Sequence, residues 1–201
     1  EDAQDETSAH DFGKNIIPRA IQNSMAMAYP YRNEQGKMAY WRDVGTLDAY
    51  WKANIELCAI EPELNLYNPK WPVWTYQTQH PPAKFIFDEE GRRGEAINSL
   101  VSGGCIIAGA RVKRSVIFYA TRIETGSLVK DSVVLPMVYI GKNCRIVGAI
   151  IDKGTHIRDD TVIGEDPVED AKRFHISEEG VVLVTPEMMG QDLIFGAVPI
   201  Y

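Results

Sequence analysis

The chain has 201 residues, 45% of them hydrophobic and 24% charged, with a formal net charge of −7. That is enough for one ordinary domain and part of another, with the composition of a soluble globular protein. The acidic balance argues against a nucleic-acid-binding face, which needs clustered Lys and Arg to neutralise phosphates. The basic groups Arg92-Arg93, Arg111/Lys113/Arg114 and Lys172-Arg173 are short, and acidic neighbours dilute most of them. Cys58, Cys105 and Cys144 are odd in number and far apart, with no CxxC or Cys/His spacing. They read as small buried or semi-buried residues in a reducing cytoplasm, not as a disulfide or zinc framework. No segment reaches the roughly 18 consecutive apolar residues of a membrane span.

The opening EDAQDETSAHDFGKN has neither the basic nor the apolar region of a secretory signal. The first residue is Glu, so the chain is expected to start after processing or partway through a longer protein. NIIPRAIQNSMAMA reads as helical, and Met38 to Trp41 as a short strand. In YWRDVGT, Asp43 then precedes Thr46, a plausible helix N-cap. LDAYWKANIELCAI continues with Leu47, Tyr50, Trp51, Ile55 and Leu57 at roughly helical spacing. An acidic residue at the end of a strand and just before a helix sits where open α/β sheets bind ligands. Taken alone that signal is weak, because an aspartate ahead of a helix is more often a cap, and the local pattern leaves both open. Pro62, Pro69, Pro72, Pro81 and Pro82 lie among Trp71, Trp74 and Tyr76. Such a stretch predicts an extended connector packed by its aromatics.

From about Ile97 aliphatic residues fall on a lattice: Leu100, Ile106, Val112; Ile117, Ile123, Val129; Val134, Ile140, Ile146; Ile151, Ile157, Ile163. RSVIF, DSVVL and GAIID repeat in the same phase. A period of five to six fits neither a helix nor simple strand alternation. It fits a three-sided coil of short parallel strands with one inward aliphatic per side, the hexapeptide β-helix. The lattice predicts four coils, with Gly103, Gly104, Gly109, Gly126, Gly141, Gly148 and Gly154 at corners of positive φ. After Gly164 a polar loop and a short strand at Val181 to Val184 are expected to cap the stack.

His10, His80, His156 and His175 are scattered, and no HxxxH or His/Cys pair offers a metal cage. His156 stands within the coils, where a hexapeptide acyltransferase would place a histidine base. There is no GxGxxG, GxxxxGK[ST] or GxSxG, so a nucleotide-cradling loop is absent from these residues.

SAHDFGKNIIP (Ser8 to Pro18), YWRDVGTLDAYWKAN (Tyr40 to Asn54), PELNLY, PPAKF (Pro81 to Phe85), NSLVSGGCII (Asn98 to Ile107) and EEGVVLVT (Glu178 to Thr185) together carry a resemblance. They resemble the C-terminal half of bacterial ADP-glucose pyrophosphorylase, glucose-1-phosphate adenylyltransferase. YWxDxGT is shared with other sugar-nucleotide pyrophosphorylases, whereas HDFGK, LVSGGC and EEGxVLVT narrow the match to the ADP-glucose branch.

The resemblance implies a mixed fold. Residues 1–60 would be the C-terminal part of an α/β nucleotidyltransferase domain, 61–96 a connector, and 97–201 a left-handed parallel β-helix with a C-terminal cap. It implies formation of ADP-glucose and pyrophosphate from ATP and α-glucose-1-phosphate, for glycogen synthesis. It also implies Mg²⁺ held by two aspartates, the second matching Asp43. Asp11 and Phe12 match residues on the sugar side of that site, and Trp41 would flank it. The β-helix would support a homotetramer and a cleft for anionic effectors such as sugar phosphates and AMP, with Lys153 at a basic position of that cleft. Basic residues that enteric enzymes carry near the C-terminus are Pro186 and Gly190 here, and the ending QDLIFGAVPIY also departs from the family. The family's Gly-rich loop, substrate lysine and first metal aspartate match nothing from Ser8 onward, so these residues alone are expected to be inactive. Two other readings are a stand-alone β-helix module for assembly or effector binding, and an acyltransferase relying on His156.

Overall fold

The computed structural model describes residues 2–23, 26–32, 36–75, 78–89 and 91–192. The tail from 193 onward, with its departure from the family pattern, lies outside them. Two compact units form, Glu1–Tyr40 and Trp41–Tyr201.

In the first unit a π-helical turn (Phe12–Ile16) runs into α1 (Ile17–Asn23). Pro18 has no N–H to give, and it sits where the wider turn ends and α1 begins, a position an early helical turn tolerates. Arg19 joins Asp5 at 3.0 Å and Asp2 at 3.8 Å, tying the acidic opening to α1. The strand expected from Met38 to Trp41 does not form. Among the described residues that stretch makes an Arg32–Met38 bridge and an Ala39 N–H bond to the Tyr31 carbonyl. A strand needs a paired edge along its length, and one bridge does not supply it.

In the second unit α2 (Leu47–Glu56) starts on Thr46, whose hydroxyl accepts the Ala49 N–H at 3.2 Å, as its sequence predicts. The strands then come in short steps. The first are β1 (Lys84–Ile86), β2 (Asp88–Glu89), β3 (Arg92–Arg93), β4 (Glu95–Ile97), β5 (Leu100–Val101) and β6 (Ile106–Ala108). Next come β7 (Arg111–Lys113), β8 (Val116–Ile117), β9 (Arg122–Ile123), β10 (Leu128–Lys130), β11 (Val133–Val134) and β12 (Tyr139–Ile140). The set ends with β13 (Arg145–Val147), β14 (Ala149–Ile151), β15 (His156–Ile157), β16 (Val162–Ile163), β17 (His175–Ile176) and β18 (Val182–Val184).

These strands build a parallel solenoid with three sheets, ordered β1-β6-β9-β12-β15, β4-β7-β10-β13-β16 and β5-β8-β11-β14-β18. β17 adds an antiparallel edge to β18, and β2 with β3 forms a separate hairpin. The core is a stack of inward aliphatics: Ile107, Ile123, Ile140 and Ile157 on one side, Val112, Val129, Ile146 and Ile163 on the next, and Ile117, Val134 and Ile151 on the third. Val184 continues the third column in β18, closing the stack as the Val181 to Val184 pattern predicts.

Three expectations need correction. The first coil runs one residue short, because Val101 pairs Ile117 and Ile107 pairs Ile123 while Val112 pairs Val129. Val101 and Ile107 therefore face inward in place of Leu100 and Ile106, and the tight Ala108-Gly109-Ala110 turn absorbs the missing residue. Second, the stack begins at Lys84, ahead of the expected boundary at 97, since β1 and β4 already sit on β6 and β7. Phe85 and Ala96 hold the inward positions there, so the aliphatic lattice fades before the strands do. Third, corners do not require glycine. Asn98, Arg114 and Asp131 adopt positive φ in register with Gly148, and Ala120 and Met137 in register with Gly104 and Gly154. Gly103 and Gly141 are absent from the positive-φ set. A Cβ on Gly141 would come within 2.4 Å of Asp159 Oδ1 and 2.7 Å of its backbone nitrogen, so close approach is what demands glycine there.

The expected polar loop after Gly164 contains α3 (Pro167–Ala171), capped by Asp166, which accepts the Val168 and Glu169 N–H groups. Asp170, buried at the end of α3, accepts the Gly164 N–H and pairs with Arg173, closing the last coil. Corner hydroxyls satisfy the polar interior: Ser99 bonds the Ser115 amide, Ser115 that of Ser132, and Ser132 that of Ala149.

The register predicts that Ile107→Ala destabilises the solenoid by about 2–5 kcal/mol while Ile106→Ala costs about 1 kcal/mol or less, measured by urea unfolding. The reverse order would restore the unbroken lattice. Burial pushes the Cys58, Cys105 and Cys144 thiols up. A disulfide reagent at pH 8 should leave all three unmodified in the native chain and titrate three after denaturation, because only thiolates attack. Fast reaction of any one in the native chain would contradict the burial.

Candidate functional site

The segment from Trp41 to Glu56 carries most of the sequence-predicted site residues of the second unit. Leu47, Tyr50, Trp51 and Ile55 share one face of α2. That face packs on the outer side of the β5-β8-β11-β14-β18 sheet, against Phe118, Val133, Leu135, Ile150, Val181 and Leu183. Polar contacts fix the helix on this seam. Trp51 Nε1–H donates to the Asp131 carbonyl at 2.8 Å, at one of the left-handed corners. Ser177 Oγ–H donates to Asp48 Oδ1 at 2.5 Å, and Lys52 pairs with Glu179. Burial pushes the Tyr50 hydroxyl up, and the Asp152 carboxylate acts in the same direction.

Asp43 lies three residues ahead of the Thr46 cap, exposed, with Oδ1 accepting the Gly45 N–H at 2.9 Å. Arg42 reaches Glu56 at 3.1 Å and Glu63 at 2.7 Å, folding the segment back along α2. Trp41 is 70% exposed. In the first unit Asp11 caps the π-helical turn through a 2.7 Å bond from the Lys14 N–H, and Phe12 is 71% exposed. Asp11 and Phe12 thus belong to one unit, and Trp41, Asp43 and Lys153 to the other. Lys153 follows β14 in an exposed turn, its amide donating to Asp152 Oδ1 at 2.8 Å.

His156 lies exposed on β15, its ring 4.4 Å from that of Tyr139, and its backbone bonds both ends of the Gln191 amide. A cavity of about 420 Å³ opens between the β2–β3 hairpin and the corners at Gly109 and Gly126. Its arginines are already committed: Arg92 to Glu89, Arg93 to Asp88 and Arg111 to Glu95. Charge in that cavity is therefore close to balanced, and His156 does not line it.

Among the described residues, no group of three or more His, Cys, Asp or Glu gathers around one point. Asp43 offers a single outward carboxylate. That fits one ligand of an open Mg²⁺ site, where one or two carboxylates suffice and substrate phosphates and waters complete the shell. Sequence reasoning identified α2 but missed its seat on the solenoid, since an apolar helical face does not name its partner. It also missed α3, although Asp166-Pro167-Val168-Glu169 carries an N-cap, a first-turn proline and a capping-box glutamate.

A three-sided parallel solenoid with this inward ladder defines a hexapeptide-repeat protein, and the chain belongs to the family described as GlmU-like, C-terminal hexapeptide, matched over residues 81–184. A nucleotidyl transferase family model matches residues 1–59. Three relatives are each named glucose-1-phosphate adenylyltransferase. That of Thiobacillus denitrificans is 66% identical over 193 residues, 96% of this chain and 44% of the relative. Those of Hydrogenovibrio crunogenus and Methylococcus capsulatus are 59% and 57% identical, each over 96% of this chain and 46% of the relative. The chain spans about half the length of the curated relatives it matches, over their C-terminal part, in keeping with the resemblance carried by its motifs. No helix among the described residues is long and apolar enough to cross a membrane.

If Thr46 is the cap and Asp43 is not, Thr46→Ala should cost about 1 kcal/mol of unfolding free energy. Asp43→Asn should change it by less than about 0.5 kcal/mol, because the amide oxygen still accepts the Gly45 N–H. An equal or larger loss at Asp43 would make that residue structural.

Proposed function

We propose that this chain is the portion of a glucose-1-phosphate adenylyltransferase that supplies one metal aspartate, part of the sugar pocket and a regulatory, oligomer-forming solenoid. What carries this reading is the 66% identity over nearly the whole chain to an enzyme of that name. In the reaction a phosphate oxygen of α-glucose-1-phosphate forms a bond to the α-phosphorus of ATP. The bond to the departing pyrophosphate breaks, leaving ADP-glucose for glycogen synthesis. Bound Mg²⁺ would neutralise phosphate charge during that displacement. Asp43 is its ligand from this chain, presented on the α2 lead-in by the Gly45 bond and the Arg42 clasp. The Asp11 carboxylate accepts from sugar hydroxyls, while the exposed Phe12 and Trp41 rings cover apolar sugar faces and exclude water. Lys153 holds an anionic effector, a sugar phosphate or AMP, and the enzyme works as a cytoplasmic homotetramer. These 201 residues by themselves do not turn over, because the nucleotide-binding loop and a second metal aspartate match nothing in them.

A second reading is a module for assembly or effector binding. The observation favouring it is that Trp41–Tyr201 forms one compact unit around the solenoid, with α2 included.

Incubated with ATP, α-glucose-1-phosphate and Mg²⁺, the 201-residue chain should release no pyrophosphate, and steady release would contradict its inactivity. In an enzyme joining this chain to the half its relatives also carry, Asp43→Asn should lower turnover about a hundred-fold or more with the fold intact. Near-normal turnover would remove Asp43 from the site.

A further inference from the structure

We propose that Trp51 and Ser177 are positioning residues for Asp43: the solenoid, through its grip on α2, sets where the metal carboxylate stands. The inference rests on the reading of Asp43 as a Mg²⁺ ligand. Its physical content is a chain of short links. Asp43 is held to Gly45 by its own side chain, Thr46 caps α2, and Arg42 clasps the far end of α2 at Glu56. The lead-in therefore moves with the helix.

α2 in turn is anchored at two separated points. Near its start, Asp48 accepts the Ser177 hydroxyl at 2.5 Å and the Glu179 amide at 3.4 Å, both from the turn that joins β17 to β18. In its middle, Trp51 donates to the Asp131 carbonyl. Asp131 is itself fixed by Arg114 and by Lys130 and sits in the left-handed corner between β10 and β11.

The two anchors are not interchangeable with the apolar seam. Burial of Leu47, Tyr50 and Ile55 is non-directional, so it fixes the position of the helix along the sheet less sharply than directed bonds do. Hydrogen bonds from two separate places along that sheet, the corner before β11 and the turn before β18, remove the remaining freedom. A ligand for Mg²⁺ must meet near-octahedral geometry at short distance, so small displacements of a carboxylate cost affinity. Ser177 and Trp51 would thus affect the metal without touching it, and Ser177 would do so from the capping hairpin of the solenoid.

The test uses the enzyme joining this chain to the half its relatives carry, with Mn²⁺ as the probe ion. Its dissociation constant is read by electron paramagnetic resonance in the presence of ATP, and thermal unfolding is measured in parallel. Trp51→Phe keeps a ring on the seam and removes the donor, and Ser177→Ala removes the hydroxyl. The double variant should weaken Mn²⁺ binding about ten-fold. Ser177→Thr, which retains a hydroxyl, should bind as the parent does. Unchanged Mn²⁺ affinity in the double variant, with the parent weakened ten-fold or more by Asp43→Asn, would overturn the positioning role and leave the metal reading standing. Unchanged affinity in Asp43→Asn would instead overturn the metal reading on which the proposal rests. A loss in Ser177→Thr as large as in Ser177→Ala would assign the effect to general loosening and also overturn the proposal.

Discussion

The parallel ladder of fully buried aliphatic side chains is the constraint on which the second unit depends. From Ile117 to Ile163 each inward residue stacks on one a coil earlier, and the strands bond only their neighbours above and below. A stack of this kind is close to one-dimensional, so its strength comes from repetition and its weakness lies at its ends. The ends are accordingly treated differently. At the start, β1 and β4 pair on the first coil with Ala83 and Ala96 packed against the core, and at the finish β18, α3 and the buried Asp170 close the last one.

The outer faces of the solenoid differ in consequence. One sheet carries a second, smaller apolar cluster in which Val133, Ile150 and Val181 receive α2. That helix falls within the stretch matched by the nucleotidyl transferase family, yet it packs with the solenoid. The family boundary near residue 59 and the boundary between compact units at residue 40 therefore do not coincide. A residue carried on the α2 lead-in takes its footing from the solenoid, and this is the physical basis for linking Asp43 to the solenoid in the proposed enzyme.

Much of this was legible in the residues because the inward lattice positions repeat with a 17-residue step, and only Ile and Val occupy them after Val112. What escaped did so for physical reasons. The first coil is one residue short, and Leu100-Val101 and Ile106-Ile107 are apolar pairs in which either member satisfies a pattern. Corners held by Arg114, Asp131 and Met137 carry no glycine to mark them. The helix at α2 could be read from Thr46 and its apolar spacing, but its docking surface could not, since Val133 and Ile150 alternate with core residues in the same strands. The site residues were legible only through motifs. Asp11 and Asp43 each carry a local backbone bond that a bland capping or turn role would also produce.

The most direct measurement is native-state amide hydrogen exchange along the 201-residue chain, resolved by peptide. If α2 belongs energetically to the solenoid, the amides of residues 50–56 should open with a free energy close to that of β8, β11 and β14. Exchange of α2 as rapid as that of α1, with those strands still protected, would contradict the claim that the solenoid holds the helix and the aspartate it carries.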